Sequence, residues 1–200
     1  VKGKIVTLSD KSIRYFDANS GEMAVGKFAE GAKNEWYHFD QTGKAVTGLQ
    51  KIGKQTLYFD QDGKQVKGKI VTLADKSIRY FDANSGEMAV GKFAEGSKNE
   101  WYYFDQAGKA VTGLQKIGQQ TLYFDQDGKQ VKGKVVTLDD KSIRYFDANS
   151  GEMAVDKFAE GAKNEWYYFD QAGKAVTGLQ KIGQQTLYFD QDGKQVKGKI

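Results

Sequence analysis

The sequence predicts an all-β protein, specifically a β-solenoid of stacked β-hairpins. Three observations lead to this fold class. The 200 residues repeat with a period of 65, they include no proline and no cysteine, and 24 glycines separate short segments rich in tyrosine and phenylalanine. These aromatic segments alternate with period 2, and no apolar series with helical spacing continues for ten residues, so a helical interpretation fails.

The repeat divides the chain into three nearly identical copies, residues 1–65, 66–130 and 131–195, and residues 196–200 begin a fourth. We expect all copies to belong to one solenoid domain. Because the chain starts with neither methionine nor a signal-peptide segment, it looks like a piece of a longer protein. A single catalytic centre does not fit this threefold pattern, so no catalytic residue is predicted.

Each copy contains three shorter units, each anchored on a Phe-Asp pair: Phe16-Asp17, Phe39-Asp40 and Phe59-Asp60 in copy one. We interpret each unit as a β-hairpin. The aromatic segment is its first strand, the Asx/Gly stretch is its turn, and a short segment ending in glycine is its second strand. One such hairpin cannot bury its own aromatic face, so the core must come from stacking of successive hairpins.

Composition excludes several classes of protein. No apolar run approaches the roughly 18 residues of a membrane span. The absence of cysteine excludes a disulfide scaffold, a thiol nucleophile and a Cys-ligated zinc site. The net charge of +4 is spread along the chain, so nucleic acid is not an expected partner. We expect a monomer with no cofactor, no metal ion and no membrane insertion.

Two features resemble special sites and are interpreted as ordinary ones. The single histidine, His38, corresponds to Tyr103 and Tyr168 in the other copies, so it is a substitution at an aromatic packing or surface position. The segment Asp60–Gly63 resembles the start of a calcium loop, but the later ligand positions of such a loop are absent. Its aspartates are therefore expected to stabilise the turn.

The third unit of each copy carries the candidate binding residues. If Asp60–Gly63 is a four-residue loop, Phe59 opposes Lys64, and Leu57, Phe59 and Val66 share an apolar face that forms the interior. The opposite face combines one aromatic ring with a hydroxyl, an amide and an ammonium group, from Thr56, Tyr58, Gln65 and Lys67.

A flat ring with polar groups at its edge suits a pyranose, whose C–H groups stack on the ring. The alternative is that these polar residues only form the solvated face of an outer strand. The single tryptophan of each copy is a further candidate platform, or packs between hairpins. The corresponding residues are Thr121, Tyr123, Gln130 and Lys132 in copy two, Thr186, Tyr188, Gln195 and Lys197 in copy three, and the tryptophans Trp36, Trp101 and Trp166.

The segment Trp101–Asp105, followed by Gly108 and Gly113, resembles the cell-wall-binding and YG-type repeats of Gram-positive surface proteins. The segment Leu57–Gly68 is similar to the glucan-binding region of streptococcal glucansucrases and related glucan-binding proteins, and the resemblance covers the whole chain. It implies a non-catalytic hairpin solenoid, with the architecture of choline-binding modules.

The resemblance further implies that the chain binds an α-glucan such as dextran, or isomaltooligosaccharides, at one shallow pocket per repeat. It implies either a C-terminal position in a glucosyltransferase or a place in a non-catalytic glucan-binding protein, in both cases secreted to the surface of a Gram-positive bacterium. In this family a stacking tyrosine is combined with a Gln-x-Lys pair, which matches Gln65 and Lys67, Gln130 and Lys132, and Gln195 and Lys197.

Three other functions fit the same architecture. Choline-binding modules hold a quaternary ammonium group in an aromatic cage, which needs a tryptophan after the glycine of each unit. This chain has Lys27, Leu49 and Lys69 at those positions, so two cage walls are missing. The carbohydrate-binding repeats of large clostridial toxins would change only the ligand, and a structural spacer would bind none. Hydrolysis is not expected, since most carboxylates lie in turns.

Overall fold

The structure, a computed structural model, describes residues 1–198, and of Lys33 and Lys163 the backbone alone. The predicted start of a fourth copy at 196–200 thus lies in part outside the described residues. Within the described chain the regular elements are strands of four or five residues and two single turns of 3-10 helix, Ala32–Asn34 and Ala162–Asn164. None of these helices could cross a membrane. The all-β prediction is confirmed.

The chain consists of two compact units. Unit one comprises Val1–Asn99 and Phe104–Ala110, and unit two comprises Glu100–Tyr103 and the chain from Val111 onward. Neither unit coincides with a 65-residue copy, and the grouping of all copies into one domain stays a prediction.

The strands of unit one are β1 (Lys4–Thr7), β2 (Ile13–Phe16), β3 (Lys27–Glu30), β4 (Trp36–Phe39), β5 (Gly48–Ile52), β6 (Gln55–Phe59), β7 (Lys69–Thr72), β8 (Ile78–Phe81) and β9 (Lys92–Glu95). The unit boundary runs through β10 (Trp101–Phe104), and unit two continues with β11 (Gly113–Ile117), β12 (Gln120–Phe124), β13 (Lys134–Thr137), β14 (Ile143–Phe146), β15 (Lys157–Glu160), β16 (Trp166–Phe169), β17 (Gly178–Ile182) and β18 (Gln185–Phe189).

Each unit is built from antiparallel hairpins of consecutive strands. Unit one pairs β1 with β2, β3 with β4, β5 with β6 and β7 with β8. Unit two pairs β11 with β12, β13 with β14, β15 with β16 and β17 with β18. In the β5–β6 hairpin Ile52 pairs with Gln55, so only Gly53 and Lys54 form the turn. Gly53 has a φ of +61°, which glycine adopts without strain, so this tight turn requires a glycine.

The predicted pairing of the aromatic strands was wrong. Each aromatic strand is the second strand of its hairpin, and the segment after the Asx/Gly turn makes only a single bridge with it. That bridge joins Phe59 to Gln65, one residue beyond the predicted partner Lys64. The physical reason is that the segment divides its backbone hydrogen bonds between its own hairpin and the preceding one. The backbone N–H of Gln65 donates to the carbonyl of Trp36 in the preceding hairpin at 2.7 Å. This N–H group is therefore not available to extend the pairing with the aromatic strand.

Backbone hydrogen bonds of this kind join successive hairpins, which confirms the predicted stack. In unit one, Ala45 N donates to Ile13 O at 2.9 Å, and Met88 N donates to Thr56 O at 2.8 Å. The same bonds recur in unit two, where Ala175 N donates to Ile143 O at 2.9 Å, Met153 N to Thr121 O at 2.8 Å and Gln195 N to Trp166 O at 2.7 Å. Each hairpin therefore supplies acceptors for the next one.

The most deeply buried large side chains of each unit are phenylalanines that come from the Phe-Asp pairs. Burying one such side chain stabilises the fold by about 1.5–3 kcal/mol. Leu57 is 2% exposed and Phe59 is 0% exposed, as the predicted interior face requires, but Val66 is only half-buried. The fully buried phenylalanines are Phe39, Phe59, Phe81 and Phe104 in unit one and Phe124, Phe146, Phe169 and Phe189 in unit two.

The aspartates that follow these phenylalanines stabilise the turns, as predicted. Asp60 Oδ1 accepts hydrogen bonds from the backbone N–H groups of Asp62 at 3.0 Å and Lys64 at 2.8 Å. In the first Phe-Asp turn of copy one, backbone N–H donation by Ser20 and Asn19 lowers the pKa of Asp17. These carboxylates are thus engaged by their own turns.

Candidate functional site

The Gln-x-Lys segment of copy one lies where three consecutive hairpins meet. The backbone of Gln65 bonds to Trp36 of the preceding hairpin at 2.7 Å. The next residue, Val66, donates its N–H to the carbonyl of Tyr58 in its own hairpin at 2.8 Å. The tertiary structure therefore brings the segments that carry Trp36, Tyr58 and Gln65 together, although Trp36 precedes Tyr58 by 22 residues and Gln65 by 29.

Both polar side chains of the pair reach the turn of the following hairpin. Gln65 Nε2 donates to Ser85 O at 3.2 Å, and Lys67 Nζ donates to Asn84 O at 3.0 Å. A Cβ atom at Gly86 would lie only 2.4 Å from Gln65 Nε2, so this close approach depends on the glycine. The sequence interpretation did not include these carbonyl groups, because nothing in the sequence indicated which turn the pair would face.

The arrangement is the same in copy two, within unit two. Gln130 Nε2 donates to Ser150 O at 3.2 Å, and Lys132 Nζ donates to Asn149 O at 3.0 Å. A Cβ atom at Gly151 would again lie 2.4 Å from the glutamine Nε2. The contacts therefore belong to the repeat and recur with it.

The tyrosines of the predicted sites are partly covered. The ring of Tyr58 stacks on Phe81 of the following hairpin, with centroids 5.4 Å apart, and Tyr123 stacks on Phe146 at the same distance. One face of each ring is thereby occupied. Tyr188 is 51% exposed, because no hairpin of the described chain packs against it. The copies thus present different amounts of tyrosine surface.

Tyr58 shares its strand face with Thr56 and with two residues of the neighbouring strand, Leu49 and Lys51, that the sequence analysis did not include. Alternation along β6 places Thr56 on that face, and the register of β5–β6 adds Leu49 opposite Tyr58 and Lys51 opposite Thr56. Leu49 is 42% exposed. The alternation in the sequence could have identified both residues had the strand pairing been predicted correctly. Thr56 and Thr121 are half-buried, and Thr186 is exposed.

The tryptophans lie with the Gln-x-Lys segments. In copy three, Lys197 Nζ lies 5.4 Å from the centre of the Trp166 ring, a cation–π contact. In this copy Gln195 is bonded through its backbone to the same tryptophan at 2.7 Å. Trp36 and Trp101 are 38% and 39% exposed, so a ligand can reach their rings. The structure places each tryptophan at a contact between hairpins and next to the Gln-x-Lys segment, so its role as a sugar platform stays a prediction.

His38 is an aromatic packing residue with one buried polar atom. Its ring lies 4.7 Å from Phe28 in an edge-to-face contact and 6.5 Å from Phe59. Within the described chain, its buried Nδ1 atom has no hydrogen-bond partner. Burial lowers the pKa of His38, and the nearby carboxylate of Asp40 opposes this shift.

We expect the free energy of unfolding to decrease as the pH is lowered from 7 to 5. His38 has a lower pKa in the folded chain than in the unfolded chain, so the unfolded state takes up the proton first. The contribution of neutral His38 to the free energy of unfolding is fully present above its unfolded-state pKa of about 6.5. It is lost as the pH falls from there toward the lower pKa of His38 in the folded chain. Urea unfolding at pH 7, 6 and 5 measures the loss. His38→Tyr, which copies two and three carry naturally, should reduce it, and equal pH dependence in both proteins would contradict this assignment.

Comparison with known proteins finds repeat families along the chain. The choline-binding repeat family matches residues 1–28, 46–93, 111–158 and 176–200. A cell wall binding repeat matches residues 32–45, 96–110 and 162–175. The matched segments therefore follow the hairpin units through all three copies.

The chain is 50% identical over 200 residues to Glucosyltransferase-S of Streptococcus mutans, which confirms the resemblance noted from the sequence. The match covers 100% of this chain and 14% of that protein, so the chain spans about one seventh of its relative.

Two solved structures from Streptococcus pneumoniae share the fold. The modular autolysin LytC, in complex with a synthetic peptidoglycan ligand, has a TM-score of 0.77 at 16% identity over 98% of this chain and 42% of its own. The choline-binding domain of CbpL has a TM-score of 0.75 at 21% identity, with 100% of both chains covered. At these identities the likeness supports the fold alone. Since the choline-binding repeat model matches more than half of the residues, the chain belongs to the choline-binding repeat family.

Proposed function

We propose that this chain is a carbohydrate-binding module that holds an α-glucan such as dextran at one shallow site per 65-residue copy. The site of copy one consists of Tyr58, Gln65 and Lys67, with Trp36 and Thr56 beside them. Copies two and three supply the corresponding residues. The single observation that carries this proposal is the recurrence of the same Gln-x-Lys contacts, at equal distances, in both compact units.

The chemistry of the site matches a glucose unit. An exposed indole or phenol ring offers a flat surface to the C–H groups of a pyranose. Gln65 and Lys67 lie beside it and can exchange their bonds with turn carbonyls for bonds with sugar hydroxyls. The 50% identity to a streptococcal glucosyltransferase supports a glucan as the polymer, because such an enzyme is named for glucosyl transfer.

Repetition compensates for the weakness of a single site. One stacked ring with two or three hydrogen bonds, each contributing about 1 kcal/mol, corresponds to a dissociation constant of about 0.1–1 mM. Linking such sites commonly raises the apparent affinity by about 10²–10⁴, provided that one polymer can span them. We therefore propose that the chain works multivalently, as a region of a glucosyltransferase secreted to the surface of a Gram-positive bacterium.

Choline is the second candidate ligand, because the family is described by choline binding and the fold matches a choline-binding domain. A choline cage is built from several aromatic walls. Here the residues after the unit glycines are Lys27, Leu49 and Lys69, which supply no such wall. A structural spacer, which would bind neither ligand, is the third possibility that the test below distinguishes.

Calorimetric titration with isomaltooligosaccharides of increasing length, and with dextran, tests the proposal. We expect the affinity to rise steeply once one ligand reaches two sites. Choline chloride serves as the control ligand. Heat with choline but not with the glucans would favour choline binding, and absence of heat with both, from folded protein, would favour a spacer.

A further inference from the structure

The methionine of copy two lies at a joint between hairpins. A Cβ atom at Gly108 would lie only 2.6 Å from Met88 Cε and 2.9 Å from Met88 Sδ. Gly108 belongs to the turn after β10, so the thioether that follows the β7–β8 hairpin lies directly against the turn of the next one. On the other side, the backbone N–H of Met88 donates to Thr56 O of the preceding hairpin at 2.8 Å. Met88 therefore contacts both neighbours of its own hairpin.

A buried arginine lies beside this thioether. Arg79 is 6% exposed, and its Nε atom donates to Ser77 Oγ at 3.2 Å. Its Nη1 atom donates to Ala107 O, in the turn after β10, and to Met88 Sδ at 3.9 Å. A thioether sulfur is a weak acceptor, so the bond to Ala107 O is the stronger of the two. The sulfur and this carbonyl group thus share one arginine nitrogen across the joint.

The joint recurs in all three copies. In copy three the arginine is again buried, and its Nη1 atom donates to the methionine sulfur at 3.8 Å. In copy one the same distance is 4.0 Å. The residues that correspond to Met88, Arg79, Ala107 and Gly108 are Met153, Arg144, Ala172 and Gly173 in copy three, and Met23, Arg14, Thr42 and Gly43 in copy one. The arrangement is therefore a property of the repeat.

These methionines are accessible to a small oxidant, although they lie at packed joints. Met23 is 40% exposed, and Met88 and Met153 are half-buried. Because the chain has three methionines and no cysteine, their thioethers are its only sulfur atoms. Thioethers are the groups in such a chain that peroxides oxidise reversibly.

We infer that the three methionines form an oxidation-sensitive joint, at which hydrogen peroxide converts each thioether to a sulfoxide and weakens the packing between hairpins. The sulfur lone pair attacks one peroxide oxygen, so that the S–O bond forms as the O–O bond breaks. The other peroxide oxygen leaves as water with both protons. The sulfur is oxidised by two electrons, and the peroxide is reduced by the same two.

The geometry explains why the added oxygen atom loosens the joint. The turn glycine closes one side of the sulfur, so the new oxygen points toward the arginine or toward water. A sulfoxide is more polar than a thioether, and its oxygen is a stronger acceptor than sulfur. In copy two it therefore competes with Ala107 O for the Nη1 donor of Arg79. The hydrogen bond that ties the arginine to the next turn is then lost or weakened.

Treatment of the whole chain with hydrogen peroxide tests the inference. The matched control combines Met23→Leu, Met88→Leu and Met153→Leu, because leucine has nearly the same volume as methionine and forms no sulfoxide. Peptide mass spectrometry locates the added oxygen atoms, and thermal unfolding measures stability. Amide hydrogen exchange measures opening of the joint at Ala110, whose N–H donates to Ile78 O across it at 2.9 Å.

We expect one added oxygen atom at each methionine, fastest at the more exposed Met23. The melting temperature should fall by about 5 °C, and exchange at Ala110 should accelerate. Methionine sulfoxide reductases should restore both values, and the leucine variant should keep its melting temperature under the same treatment.

Three results would overturn the inference. The first is that the methionines of the folded chain stay reduced at a peroxide concentration that oxidises N-acetylmethionine. The second is that sulfoxides form while melting temperature and exchange stay unchanged. The third is an equal decrease in melting temperature in the leucine variant, which would assign the effect to another residue type such as tryptophan.

Discussion

Simultaneous replacement of Tyr58, Tyr123 and Tyr188 by alanine is expected to abolish retention of the chain on immobilised dextran, whereas Tyr58→Ala alone should weaken it only modestly. Each change removes the aromatic surface of one site, and the remaining hydrogen bonds cannot hold a sugar at useful concentrations. Loss of all three sites also removes the multivalent gain of about 10²–10⁴. Affinity chromatography on dextran, with elution by soluble dextran, measures the effect.

The control for this experiment must separate lost binding from lost packing, because Tyr58 stacks on Phe81 at 5.4 Å. Tyrosine to phenylalanine at the same three positions keeps the ring and its packing and removes only the hydroxyl group. That variant should still be retained on dextran. If the triple alanine variant is folded and binds as well as the unchanged chain, the assignment of these tyrosines is wrong.

Phe59→Ala is expected to destabilise the fold by about 3–5 kcal/mol, the range for removal of a buried aromatic ring. Phe59 is fully buried, with its ring centroid 6.5 Å from those of Phe28 and His38. In a stack whose stability comes from neighbouring hairpins, the loss should be concentrated in the hairpins next to the cavity. Urea unfolding measures the total loss, and amide hydrogen exchange measures its distribution along the chain.

Phe28→Ala is a matched control for the core substitution. It removes the same side chain from a residue that is 39% exposed and that belongs to the neighbouring hairpin. The expected loss is less than half of that for Phe59→Ala, because less apolar area leaves water on folding. Equal losses at the two positions would show that the Phe-Asp phenylalanines are not the dominant core.

Much of the fold could be predicted because the repeat multiplies a weak local signal. Each Phe-Asp pair, with the glycine turn after it, occurs in the same relation in every copy, and period-2 alternation places Leu57 and Phe59 on one face. Both residues are buried in the structure. The candidate polar residues followed from the same alternation, although the sequence could not show what they contact.

Strand pairing could not be obtained in the same way. Phe59 has a possible partner on either side, since Gly48 precedes it by 11 residues and Gln65 follows it by six. Local turn propensity favoured the Asx/Gly stretch, but the two-residue turn at Gly53 forms the longer ladder. The segment that carries Gln65 instead gains its hydrogen bond from Trp36 of the neighbouring hairpin, a partner that exists only after stacking.

The sequence by itself determined the all-β class, the hairpin repeat, the buried phenylalanines and the residue types available for binding, because these depend on composition, period and alternation. The tertiary structure alone decided which residues meet. It placed Gln65 and Lys67 against the turn at Asn84 and Ser85. Such contacts join successive hairpins, whose relative placement is set by non-local hydrogen bonds and packing that no single hairpin sequence specifies.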